Sequence, residues 1–296
     1  MRYSIGFFAA ALMMAQPSPQ QTFTTPKEAG EALMQAADRN DTAALLKVLG
    51  PGSKDIVESG DAAEDKNGRA EFSRLAHSRM TVSMEKGSPD RAILVVGEND
   101  WPFPVPLYRA NGKWHFDSER GRTEVLARRI GRNEMAAIEV CRGYVEAQMA
   151  YASHDRNGDR ILQYAQKIVS TPGKKDGLYW PNDNENLVPK AFADAAATMS
   201  PSGKSTPYHG YYFKILTAQG PAAQGGAIDY VVKGQMMGGF AMIAYPAEHG
   251  VSGVKSFLVN HRGVVYEKDL GPSTATTARQ MTKFNPDKGW KEVEGE

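Results

Sequence analysis

The stretch that decides the fold is residues 119–153, ERGRTEVLARRIGRNEMAAIEVCRGYVEAQMAYAS. Its side chains repeat at the three- and four-residue spacing of an amphipathic helix. Those near one face are Leu126, Ile130, Ala137, Ile138, Cys141, Tyr144, Val145 and Gln148. An unbroken helix here would extend about 50 Å at 1.5 Å per residue. A helix that long needs two partners to cover it, so we predict that it joins two domains.

One short segment favours a break in this helix. Gly131-Arg132 interrupts the apolar pattern, and Asn133 is a residue type that commonly caps a helix N-terminus. The alternative to one unbroken helix is therefore two helices, the second capped by Asn133.

Upstream, residues 24–120 predict a small α+β domain that begins with helices. Thr25-Pro26-Lys27-Glu28 has an N-cap residue, a proline at the first helical position and an acidic residue at the third. A second helix is expected from Asp41 until Gly50 ends it, and a weaker third helix over 64–77.

Strands follow these helices. Residues 80–84 alternate in polarity, 92–96 form a short apolar run, and Asn111-Gly112 is a strong hairpin signal before 113–116. The prolines of 101–106 exclude a central strand, so that segment is an edge or a bulge. Helices followed by a curved antiparallel sheet resemble the NTF2-like fold, and this resemblance implies a cone with a pocket.

Downstream, residues 121–290 predict a second domain in which the long helix packs on an antiparallel sheet. The region 154–208 has little regularity and holds many acids, glycines and prolines. A short helix is expected at 273–281, and strands are expected at 211–217, 239–245, 254–260 and 264–267. The predicted fold class is α+β.

The first residues predict export. Arg2 gives a positive start, residues 5–14 are apolar, and Ala15 precedes a polar segment, which is the layout of a cleavable signal peptide over 1–15. The apolar run is shorter than the ~20 residues of a membrane-spanning helix, and no cysteine follows it for lipid attachment. Residues 16–24 are expected to be a flexible leader, and the mature chain to lack a transmembrane anchor. The alternative is an N-terminal buried helix.

The composition is balanced in charge. The chain has 296 residues, with 35 Lys and Arg against 34 Asp and Glu, so nucleic acid is not an expected partner. Cys141 is the only cysteine, which excludes an internal disulfide, and its place in the helix indicates a small core residue. The expected location is periplasmic or secreted.

Four segments taken together resemble a known family. They are 128–134 (RRIGRNE), 170–181 (STPGKKDGLYWP), 208–216 (YHGYYFKIL) and 259–271 (VNHRGVVYEKDLG). In this order they resemble the bacterial exported family catalogued as domain of unknown function 2950, over essentially the whole mature chain. The resemblance implies export, and it brings no known activity and no catalytic residues.

The second half has a fainter similarity to the head domains of type IV pilins and pseudopilins. The residues that carry it are Asn133-Glu134, Ala136-Ala137-Ile138, Tyr144, Ala147-Gln148, Tyr151, Gly158 and Tyr164-Ala165. In those folds a long helix packs on an antiparallel sheet. Pilins begin with an apolar polymerising helix, whereas the first domain occupies that place here, so pilin-type filament assembly is not expected.

One loop has part of a calcium-binding pattern. Asp155, Asn157 and Asp159 place oxygen-bearing side chains at alternate positions, as the start of a calcium loop does. The sixth position is Arg160 instead of glycine and the twelfth is Gln166 instead of glutamate, so half of the motif is present. The three residues are therefore either calcium ligands or a hydrogen-bonded turn, and no other cofactor is indicated.

The sequence holds no recognisable catalytic motif. It has no histidine pair at the spacing of a zinc-protease helix and no Gly-x-Ser-x-Gly elbow, and its glycine pairs lack phosphate-binding spacing. The sequence therefore favours a protein that is not an enzyme, and it assigns no catalytic residue.

Aromatic side chains are the remaining candidates for a ligand or partner surface. The candidate surface residues are Tyr179, Trp180, Tyr208, His209 and Trp101. The alternative is that these rings pack against their own sheet.

We therefore expect an exported cell-envelope protein with a non-catalytic binding or scaffolding role and an unidentified envelope partner. The alternative is a small-ligand-binding protein or an enzyme that uses a pocket in the cone-like first domain. The polar side chains available to such a pocket are Glu71, Asp100, His115 and Asp117. A cone filled by Phe72, Leu75, Val95 and Trp114 would leave no pocket.

Overall fold

The structure is a computed structural model that describes residues 20–181, 183–197 and 206–294. The predicted signal peptide, 1–15, and residues 16–19 of the leader lie outside this part of the chain, so both stay predictions.

The first half of the described chain contains four helices and five strands. These elements are α1 (Pro26–Asp38), α2 (Thr42–Leu49), α3 (Lys54–Val57), α4 (Ala62–Ser78), β1 (Met80–Met84), β2 (Arg91–Val96), β3 (Trp101–Pro102), β4 (Leu107–Ala110) and β5 (Lys113–Phe116). Thr25 accepts a hydrogen bond from the Glu28 amide, and Asp41 accepts one from the Ala44 amide. Both predicted helix caps are therefore confirmed.

The five strands form one antiparallel sheet in the order β1-β2-β4-β5, and β3 pairs with the end of β2. Asn111 and Gly112 have positive φ angles of 50° and 73° and close the β4–β5 hairpin, as predicted. Trp101-Pro102 pairs with only two residues of β2, which agrees with the expected edge position.

Helices α1 and α2 pack on this sheet and form the first core. Its buried side chains are Phe23, Ala29, Leu33, Ala36, Ala37, Leu45, Val48, Leu49, Val57, Ala92, Leu94, Val105, Leu107, Trp114 and Phe116. Phe23 and Trp114 exchange two backbone hydrogen bonds of 2.8 Å, and Gln20 donates to the carbonyl of Phe116. Residues 20–24, which we expected to be flexible, are instead held against β5 because an aromatic ring among them is buried.

Helix α5 (Ser118–Ala152) runs unbroken for 35 residues, about 50 Å. The alternative of two helices with a break at 131–133 is wrong. Asn133 is 3% exposed, and its side-chain amide donates to the carbonyl of Ser252 at 2.9 Å. Its polar group thus makes a tertiary contact instead of a cap. The first half of α5 contacts α3, and its second half contacts the sheet of the C-terminal half.

The second half contains two short helices and ten strands. These elements are α6 (Lys190–Ala197), β6 (Tyr211–Leu216), β7 (Ala218–Gln219), β8 (Ile228–Asp229), β9 (Val231–Val232), β10 (Gln235–Met236), β11 (Ala241–Pro246), β12 (Lys255–Asn260), β13 (Val265–Asp269), α7 (Thr274–Gln280), β14 (Lys283–Phe284) and β15 (Lys291–Glu292). Helix α6 lies within the region 154–208, which was expected to have little regularity.

The main sheet of this half is antiparallel in the order β15-β13-β12-β11-β6. Strand β11 lies between β12 and β6, and all of its residues are buried. Helix α5 covers the sheet with Ala137, Cys141, Tyr144, Ala147 and Tyr151, which belong to the second core. The predicted α+β class is confirmed. Among the helices of the described residues, none combines the length and the apolar character needed to cross a membrane.

Candidate functional site

A cavity lies between the helices of the first half and the N-terminal half of α5. Its volume is about 220 Å³, several times the ~30 Å³ that one water molecule occupies in the liquid. Its apolar lining consists of Leu33, Ala37, Leu45, Leu49, Ile56, Val57, Phe72, Trp101, Phe103, Pro104 and Val125. Every helix from α1 to α5 contributes a side chain to this wall.

Four arginines line the same space, so we call it the arginine cavity. One lies on α4 and three on α5, and they are Arg69, Arg128, Arg129 and Arg132. None of them was identified as a candidate from the sequence. The signal that could have found them is three arginines within five residues of a helix, two of them, Arg128 and Arg132, at the i, i+4 spacing of one face.

Two of these arginines hold the cavity wall together. Arg129 is 8% exposed and donates to the backbone carbonyls of Asp55 and Ile56. Arg69 donates to the carbonyl of Val57 at 2.9 Å. Both guanidinium groups therefore bind the last turn of α3, whose carbonyls have no partner within the helix.

The other two arginines lie one helical turn apart on α5 and differ in how they are held. Arg128 donates to Glu124 at 2.7 Å and lies 5.5 Å from the ring centroid of Trp101. Arg132 is exposed, and it makes no hydrogen bond or ion pair with any residue that the structure describes. The donors of Arg132 therefore have no partner among the described residues.

Two carboxylates, those of Glu64 and Asp65, also line the arginine cavity. Burial lowers the pKa of Arg129, and the charge of Asp65 opposes this shift. Both oxygens of Asp65 also accept the backbone amide of Ser59, at 3.0 and 3.2 Å. Glu64 lies 3.9 Å from Nδ1 of His209. Each of these acids thus has a neighbour other than Arg132.

The polar residues that we expected in a pocket of the first domain lie elsewhere. Asp100 and Glu71 form ion pairs on the surface, Asp117 caps α5, and His115 packs edge-on against Tyr108. None of the four expected residues lines the arginine cavity. These four residues therefore do not converge on one pocket, and the arginine cavity is a different space, lined partly by α5.

The aromatic candidates do not form one surface. Trp101 is 38% exposed and lines the arginine cavity. Trp180 is only 3% exposed, because Arg156 and Lys175 cover its ring at 5.0 and 4.5 Å from the ring centroid. Tyr179 is half-buried against the second core. Of the two alternatives for Trp180, a surface residue or a packed ring, the structure has the packed ring.

Tyr208 and His209 line a second groove, between α5 and α6, which we call the α5–α6 groove. Its volume is about 440 Å³. The α5 side presents small residues and two acids, and the other side includes Phe192. The full lining is Ala136, Glu139, Val140, Gly143, Tyr144, Glu146, Ala147, Ala150, Leu187, Val188, Pro189, Phe192, Tyr208 and His209.

The candidate calcium loop is held by its own hydrogen bonds. Asp155 accepts the backbone amides of Arg160 and Gly158 at 2.8 Å and of Asn157 at 3.2 Å, and these bonds lower its pKa. Asn157 in turn accepts the amide of Asp159. No group of three or more His, Cys, Asp or Glu side chains in the described chain is arranged to hold a metal ion. The hydrogen-bonded turn is present, and calcium binding by these residues stays a prediction.

Cys141 is a buried side chain of the second core, as predicted. Burial raises the pKa of its thiol to about 12. The thiolate, which is the nucleophilic form, is therefore nearly absent at neutral pH.

Comparison with known proteins identifies the family. The sequence pattern of the family described as "Protein of unknown function (DUF2950)" matches residues 20–293. The chain belongs to the DUF2950 family. Neither a curated protein nor a solved structure matches this DUF2950 chain. The likenesses to NTF2-like and pilin head folds therefore stay predictions.

The four segments that indicated DUF2950 fall in different parts of this fold. Segment 128–134 supplies three of the four arginines of the arginine cavity. Segment 170–181 is the loop that holds Trp180, 208–216 leads into β6, and 259–271 joins β12 to β13. Of the four DUF2950 segments, 128–134 lines the arginine cavity, and 208–216 supplies Tyr208 and His209 to the α5–α6 groove.

Proposed function

We propose that this protein binds a small, largely apolar molecule in the arginine cavity and acts by binding rather than by catalysis. The supporting observation is an open space of about 220 Å³ among the buried side chains of α1, α2 and α3. Protein interiors are close-packed and leave few voids larger than a water molecule. Small-molecule sites are typically apolar clefts with a few polar groups, which describes this lining.

The polar lining suits binding better than proton transfer. Arginine stays protonated at physiological pH and donates hydrogen bonds without acting as a base. Asp65 is already bonded to the backbone of Ser59. Burying about 150 Å² of apolar ligand surface contributes about 4 kcal/mol before the cost of association. A neutral ligand of this size is therefore expected to bind weakly, with a Kd no tighter than about 1 mM.

Two glycines allow a matched test of the site. Gly68 on α4 lines the arginine cavity, and Gly143 on α5 lines the α5–α6 groove. A Cβ atom at either position meets nothing within 4 Å, so a longer side chain starts in open space at both. Leucine also favours a helix more than glycine does, by up to ~1 kcal/mol.

The experiment is a titration of the purified chain with 1-octanol, followed by two-dimensional NMR. Gly68→Leu narrows the arginine cavity and is expected to weaken binding at least 10-fold, while Gly143→Leu leaves it unchanged. Binding that survives Gly68→Leu, or that is lost in Gly143→Leu, would place the ligand outside the arginine cavity and contradict the proposal.

We also propose that the protein acts outside the cytoplasm, as an envelope or secreted binding protein. The support is the sequence of residues 1–15, with Arg2, the apolar run 5–14 and Ala15. Cell fractionation followed by N-terminal sequencing tests this. A mature chain that begins near Gln16 in the exported fraction is expected, and an intact Met1 in the cytoplasmic fraction would contradict it.

A further inference from the structure

We infer that the molecule bound in the arginine cavity carries one negative charge, as a carboxylate on a short apolar body does. This inference rests on the proposed function and names the class of ligand for the same site. It follows from the charges that line the cavity and from how each of them is already paired.

The positive charge of the lining is not fully balanced by its own acids. Arg128 is paired with Glu124, and Arg129 is close to Asp65. Arg132 makes no hydrogen bond or ion pair within the described chain. A ligand anion would supply the missing partner.

Arg128 and Arg132 lie close enough to bind the same anionic group. Residues four apart on a helix have Cβ atoms about 6 Å apart, so both guanidinium groups can reach the same anion. Glu124 and the Trp101 ring restrict Arg128, which reduces the entropy lost when it binds. The planar fork of arginine fits the two oxygens of a carboxylate.

The apolar part of the cavity limits the rest of the ligand. Leu33, Leu45, Leu49 and Val57 are each buried and offer only hydrocarbon to a bound molecule. A volume of about 220 Å³ suits one short chain or one ring. It does not suit the two long chains of a membrane phospholipid. The expected ligand is therefore a small carboxylate amphiphile with its charged end at the exposed Arg132.

The test compares two probes with the same chain length and different charge. Octanoate and 1-octanol are titrated by NMR into the full mature chain, into Arg132→Gln and into Arg142→Gln. Arg142 is exposed on the same helix, makes no ion pair within the described chain and does not line the arginine cavity. It therefore controls for a general change in charge.

Octanoate is expected to bind the unmodified protein at least 10-fold more tightly than 1-octanol. Arg132→Gln removes that preference, and Arg142→Gln retains it. The preference also decreases as the salt concentration rises, because the charged end is at the exposed side. Thermal unfolding verifies that Arg132→Gln is folded, which is expected because this side chain bonds to no described residue.

The outcomes separate this inference from the proposed function. The two probes could bind the unmodified protein with equal affinity, and Gly68→Leu could weaken both. That result would contradict a negatively charged ligand and would still support the arginine cavity as the binding site. A preference for octanoate that persists in Arg132→Gln would overturn the role of Arg132. Failure of both probes to bind would overturn the proposed function and the inference together.

Discussion

The side-chain amide of Asn133, in the middle of α5, donates a 2.9 Å hydrogen bond to the backbone carbonyl of Ser252, and both residues are buried. The next residue, Glu134, accepts the backbone amides of Val254 and Lys255, each at 2.9 Å. A single turn of α5 therefore fixes the segment that leads into β12.

The first prediction concerns this junction. Asn133→Ala leaves the buried carbonyl of Ser252 without its donor, so it is expected to lower the free energy of unfolding by about 1–3 kcal/mol. Denaturant unfolding measures this. Asn184→Ala, at an exposed position, is the control and is expected to change stability by less than ~0.5 kcal/mol. Equal effects of the two variants would contradict a structural role for the Asn133 hydrogen bond.

Gln148 carries the second prediction. It is fully buried on α5, accepts the Ala165 amide at 2.8 Å and donates to the Ala165 carbonyl at 2.8 Å and the Tyr144 hydroxyl at 2.9 Å. Gln148→Leu preserves the size of the side chain but leaves the backbone amide and carbonyl of Ala165 without their hydrogen-bond partners. Gln148→Leu is expected to lower the free energy of unfolding by at least about 2 kcal/mol, as measured by denaturant titration. The control, Gln224→Leu on the surface, is expected to change it little. A neutral Gln148→Leu would show that these bonds do not hold the chain at 165.

Asp176 gives a prediction about pH. Partial burial would raise its pKa, but hydrogen bonds from Lys167 and from the amide and hydroxyl of Thr171 lower it to about 2. The unfolded-state value is near 3.8. The stabilisation that the ionised carboxylate of Asp176 gives the folded state is therefore fully present above about pH 4. It is lost as the pH falls towards 2.

The measurement is thermal unfolding of Asp176→Asn between pH 2 and 7. The variant is expected to be less stable than the unmodified protein by about 1 kcal/mol at pH 7, a value reduced for solvent screening. The difference should vanish near pH 2. Asp194→Asn, which removes an exposed i, i+4 ion pair with Lys190, is the control. A difference that stays constant with pH would show that the carboxylate charge is not responsible.

The loop at 155–160 yields the fourth prediction. Asp155 accepts three backbone amides, so Asp155→Ala is expected to lower the melting temperature whether EDTA or millimolar calcium is present. Because the turn is held by its own hydrogen bonds, the unmodified protein is expected to have the same melting temperature in EDTA and in calcium. A rise of several degrees with calcium, abolished by Asp155→Ala and by Asp159→Ala, would instead establish a cation site.

Local signals in the sequence located the ends of elements well. Thr25 and Asp41 act as caps, and Asn111-Gly112 closes a hairpin, because each of these effects depends on a few neighbouring residues. The long helix was expected from its periodicity and is present. Periodicity and turn chemistry were therefore sufficient for the α+β class.

Contacts between distant segments were not predictable in this way. Asn133 has the residue type of an N-cap, yet its partner is more than a hundred residues away. Trp180 was a candidate surface residue, yet its ring is covered by Lys175 from the same loop and by Arg156 from the preceding one. The arginine cavity exists because five helices meet around it, and no single stretch of sequence contains that arrangement.

The unbroken course of α5 has a thermodynamic consequence. Arg132, which lines the arginine cavity, is adjacent to Asn133 and Glu134, which hold the approach to β12. A ligand bound at Arg132 would therefore contact the same turn of α5 that positions β12. If such a ligand changes the affinity of that strand for a partner by some factor, the partner must change the affinity for the ligand by the same factor.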